Sequence, residues 1–97
     1  MNTARLLERF ERVLPQQLAA RPGVFIICRH LAQKSTGFEF LGCAEAEDVR
    51  AEAARIMTHH RIDGFENSIF YFVRHTTVRD ERIALLNEAR NAGIASM

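Results

Sequence analysis

Ninety-seven residues, 47% hydrophobic and 26% charged, suit one globular domain of ordinary composition and argue against disorder throughout. A net charge of +1 is too acidic for a general nucleic-acid coat and too basic for a surface that imitates DNA. The longest strongly apolar run, Val24–Cys28, falls far short of the ~20 residues that span a bilayer.

The first predicted element is a helix from Thr3 to Ala20. Leu6, Phe10, Val13, Leu14 and Leu18 recur at helical spacing, with Arg5, Glu8, Arg9, Glu11 and Arg12 between them. Pro15 removes one intrahelical donor and predicts a kink or break. Val24–Leu31 reads as a strand buried on both faces at its start, and Phe38–Ala44 as a second strand. The turn residues Gln33–Gly37 make the pair a hairpin.

Residues 46–60 read as a second helix, with Val49, Ala53, Ile56, Met57 and His60 inward. Glu45, Glu47 and Asp48 gather at its N-terminal end, where the macrodipole favours negative charge. Asp63-Gly64 is a turn. Ser68–His75 is a third strand, and a last helix opens with a cap at Thr77, stops at Gly93 and leaves a frayed tail, Ile94–Met97. The expected fold is α+β in one domain, residues 1–97, in the order α-β-β-α-β-α. Helices pack on one face of a small three-stranded sheet, antiparallel or mixed, because the third strand fits either a hairpin or a right-handed crossover. That strand is apolar enough to need cover: it is central, or a homodimer hides it through the strand itself or the first helix.

The chemistry-bearing residues are few. Cys28 and Cys43 do not form a disulfide framework, and the N-terminal stretch has no apolar signal region, which points to a cytoplasmic protein. Alternation puts Cys28 and His30 on one strand face, so Cys28, His30, Cys43 and His75 would make a plausible zinc set if the register brings them together. No Cys-x2–4-Cys or His-x3–5-His knuckle supports it, and buried structural thiols explain the cysteines better. A Cys–His dyad is weaker still. His59-His60 suits a helix C-terminus, and no nucleophile is placed near it. The five glycines are scattered singly, so neither GxGxxG nor a Walker-type loop occurs.

Twelve of 13 basic residues are arginine, which suits bidentate contacts but also a GC-rich coding sequence. Residues 1–40 carry six basic and three acidic side chains, residues 41–66 three and six, and residues 67–97 four and three. Arg29, His30, Lys34, Arg74, His75 and Arg79 are expected as one patch at the strand ends, with Phe38 or Tyr71 for stacking. The leading expectation is a non-enzymatic protein–protein module, an accessory, adaptor or inhibitor protein of a larger bacterial or phage complex, a class set by how often small stand-alone domains play that part rather than by these residues. Its expected contacts are Arg29, Lys34, Phe38, Arg74 and Arg79, with no cofactor and no membrane partner. Nucleic-acid binding by the same patch is the alternative, and a metal- or thiol-dependent enzyme the lesser one.

Overall fold

The structure, a computed structural model, describes residues 3–31, 37–62 and 68–97. The elements are α1 (Thr3–Leu7), β1 (Glu11–Val13), a 3-10 turn (Pro15–Gln17), β2 (Gly23–His30), β3 (Phe38–Ala46), α2 (Val49–His59), β4 (Ile69–His75) and α3 (Arg79–Asn91). The class is the expected α+β, but the sheet has four strands, ordered β1-β4-β2-β3 and antiparallel throughout. β3 and β4 therefore run in the same direction on either side of β2, and no parallel pair forms between them.

The fourth strand comes from the segment expected to be helical. α1 stops at Leu7, and Glu11, Arg12 and Val13 pair with Val73, Phe72 and Tyr71. A helix of this length gains little from propensity alone, and Pro15 cannot donate within it. Pairing instead satisfies the outer edge of β4 and sends Val13 into the core.

Helices cover both faces of the sheet rather than one. β2 is buried from Gly23 to Cys28, as expected for a central strand with cover on each side. On one face Val49, Ala53 and Ile56 of α2 meet Phe25, Ile27, Ala44, Ile69, Tyr71 and Val73. On the other, Leu6 of α1, Ala89 of α3 and Ile94 meet Ile26, Cys28, Cys43 and Phe70. The pairing of β2 with β3 slips between Ile27 and Cys28, where Leu41 is left without a partner. The slip returns Phe38 and Phe40 to the α3 side. Because β4 is interior, the open edge that called for a homodimer through it does not exist.

The helix ends differ in detail from expectation. Asp48 caps α2 by accepting from the Ala51 N–H at 3.0 Å, and Arg61 leaves it at φ +49°. His60 is exposed rather than inward. For α3 the hydroxyl of Thr76, not Thr77, accepts from the Val78 N–H and donates to Glu81. Gly93, at φ +94°, ends the last turn as expected. The following tail is not frayed. Cys43 donates to Ala95 O at 2.7 Å and accepts from the Met97 N–H at 2.9 Å, so the tail lines the outer edge of β3.

Arg82 is the one fully buried charged side chain among the described residues. Its guanidinium donates to Glu45 at 3.0 Å, to Glu47 and to the Thr76 carbonyl at 3.1 Å. The hydrogen bond to Glu45 is the main reason that its pKa is raised. Glu45 and Glu47 thus dock α3 onto the end of β3 and are not simply a solvated helix start.

Candidate interaction surface

β4 runs antiparallel to β2, so Gly23 faces His75 and Arg29 faces Ile69. The expected basic patch is split by that register. Arg74 lies beside Val24, five residues from Arg29 along β2, or roughly 17 Å. Arg79, exposed at the start of α3, lies toward the Arg74 end. Arg29 sits on the α2 side, 3.2 Å from Glu39, which faces it across the ladder. Lys34 and the turns at Gln33–Thr36 and Asp63-Gly64 fall outside the described residues.

The candidate zinc set is divided by the same geometry. Cys28 and Cys43 share the α3-side core, but His30 and His75 lie toward opposite ends of the sheet. His75 Nδ1 donates to the Pro22 carbonyl at 3.0 Å. Among the described residues no three His, Cys, Asp or Glu side chains converge as metal ligands. Burial pushes the Cys28 thiol up to about 12, against a smaller opposing effect of Arg12. The Cys43 thiol rises to about 11 for the same reason, with Arg90 opposing. Both thiols are protonated near neutrality and are poor nucleophiles.

One expected contact, Phe38, lies in a constellation that the sequence reading did not assemble. On the α3 side, beyond the cover of α1 and α3, all four strands contribute to a pad. β1 supplies Arg12, β4 supplies Phe70 and Phe72, β2 supplies His30, and β3 supplies Phe38 and Phe40. The register explains the grouping: Arg12 faces Phe72, Cys28 faces both Phe70 and Phe40, and His30 faces Phe38.

Phe70 is fully buried at the centre. The Arg12 guanidinium lies 4.1 Å from its ring centre, His30 stacks on it at 4.6 Å, and Phe38 and Phe72 meet it edge-on at 5.3 and 5.7 Å. Arg12 Nη2, a donor, lies 3.3 Å from His30 Nε2 across the ring. Arg12 and His30 are exposed, while Phe38, Phe40 and Phe72 are half-buried. The result is an aromatic surface with one cation and one imidazole at its rim. Arg12 is not expected here because the predicted first helix runs through it, and Phe40 and Phe72 carry no local signal of a cluster that forms across strands. The Pro15 break, two residues beyond Val13, was the available signal. No known family, curated protein or solved structure matches the chain.

Proposed function

We propose that the protein is a non-enzymatic protein-binding module and that the pad around Phe70 is its contact surface. The observation that carries this reading is the convergence of four strands on three half-buried phenylalanines rimmed by Arg12 and His30. Aromatic rings and arginine are prominent in the binding energy of protein interfaces, the rings because they bury large areas with few rotatable bonds and arginine because its planar guanidinium presents several donors at once. Four other arginines are held in ion pairs, Arg9 by Glu88, Arg29 by Glu39, Arg55 by Glu52 and Arg82 by two glutamates, whereas Arg12 lies over a ring.

The test is affinity capture from the native cell with wild type, Arg12→Glu, Phe38→Ala and a control, Arg55→Glu on the exposed side of α2. A partner retained by wild type and Arg55→Glu but lost with both pad variants supports the reading. A partner held equally by Arg12→Glu overturns it. Half-buried rings beside an arginine also suit stacked bases, which keeps single-stranded nucleic acid as a second reading. A gel shift at two salt concentrations separates the two, since nucleic-acid binding weakens steeply with salt.

A further inference from the structure

A second site lies at the corner where β1 begins. The His30 N–H donates to Ser68 O and the Thr76 N–H to Pro22 O. Alternation in an antiparallel ladder therefore turns the backbone groups of residues 69, 71, 73 and 75 toward β1. Val73 and Tyr71 meet Glu11 and Val13 there, but β1 begins at Glu11 and offers no strand partner to His75. His75, whose N–H and carbonyl are turned this way by the alternation, lines a notch of about 410 Å³ together with Glu8, Arg9, Phe10, Glu11, Arg21, Val73 and Arg74. A second cleft of about 270 Å³ adjoins it and shares Glu11, Arg21, Val73 and His75.

The charges in this notch are balanced and mostly uncommitted. Arg9 is neutralised by Glu88 at 2.6 Å. Arg21 and Arg74 are exposed, as are Glu8 and Glu11, and none of the four makes a side-chain ion pair among the described residues. Two free cations, two free anions, one backbone donor and one backbone acceptor thus share one cleft. A simple anion would satisfy the arginines and oppose the glutamates, and a simple cation would do the reverse. A molecule carrying both charges satisfies both sets.

We propose that this notch binds a small zwitterion of the amino-acid class. Its carboxylate meets Arg21, Arg74 and the His75 N–H, and its ammonium meets Glu8, Glu11 and the His75 carbonyl. The site is separate from the pad and does not depend on it.

The test is an amide chemical-shift titration of the whole chain with glycine and with pooled L-amino acids. Acetate, methylamine and inorganic phosphate serve as controls at matched ionic strength. Saturable shifts confined to residues 8–11, 21 and 73–75, absent with acetate or methylamine alone, are expected. Arg74→Gln and Glu11→Gln should each weaken binding about tenfold or more, since each removes a charge-assisted hydrogen bond. Both positions are exposed, and unchanged core amides would show that the fold is retained. The proposal is overturned if no amino acid gives saturable shifts, or if acetate or phosphate reproduces them.

Discussion

Phe70 and the two thiols show how burial decides what a side chain does. Phe70 belongs to the α3-side core, and Arg12, His30 and two other rings lie on it. Arg12→Ala should cost about 0.5–1 kcal/mol, the usual worth of an exposed cation over a ring, read as a lower urea midpoint with unchanged slope. Cys28 and Cys43 should resist an aromatic disulfide reagent in the native state and react once the chain unfolds. Their folded pKa values, about 12 and about 11, lie above the free value of 9.0. The stability tied to their protonated form is complete below pH 9 and is lost as pH rises through the folded values, because the unfolded chain releases those protons first. Urea midpoints should therefore fall above pH 9, and Cys28→Ala with Cys43→Ala should flatten that fall. His30 and Phe38 were legible as single residues. Their common neighbour was not, because a ring clustered across four strands leaves no local pattern.

The strands, α2 and α3 were legible because alternation and helical periodicity are local signals, and their ends fell within a few residues of expectation. β1 and the tail were not. Each is short and takes its conformation from a strand distant in sequence: β1 from β4, the tail from Cys43. The close approach of β2 and β4 is testable at Gly23. A Cβ there would come within 2.7 Å of the Arg74 carbonyl, which belongs to the backbone and cannot swing aside. Gly23→Ala should destabilise by about 1–3 kcal/mol, measured by urea unfolding. Ile94→Ala should cost about 2–5 kcal/mol, since Ile94 is 3% exposed and anchors the tail in the α3-side core. Hydrogen exchange at the Cys43 amide should then quicken, because its acceptor is Ala95 O.

At the scale of the molecule, a centre buried on two sides explains why 97 residues suffice. β2 and β4 meet core on both faces, β1 covers part of the outer edge of β4, and the tail bonds to β3 at Cys43. Both sites follow from where β1 lies: its pairing carries Arg12 over Phe70, and its start at Glu11 leaves His75 without a strand partner. The register makes Arg12 and Phe72 a pair without mutual hydrogen bonds, the kind in which opposed α-protons come closest. The most direct test is a nuclear Overhauser measurement on the isotope-labelled chain. A strong contact between the α-protons of Arg12 and Phe72, with ring-current shifts on the Arg12 side chain, is predicted. Helical shifts running unbroken from Leu7 through Leu14, with no contact between Arg12 and Phe72, would contradict it.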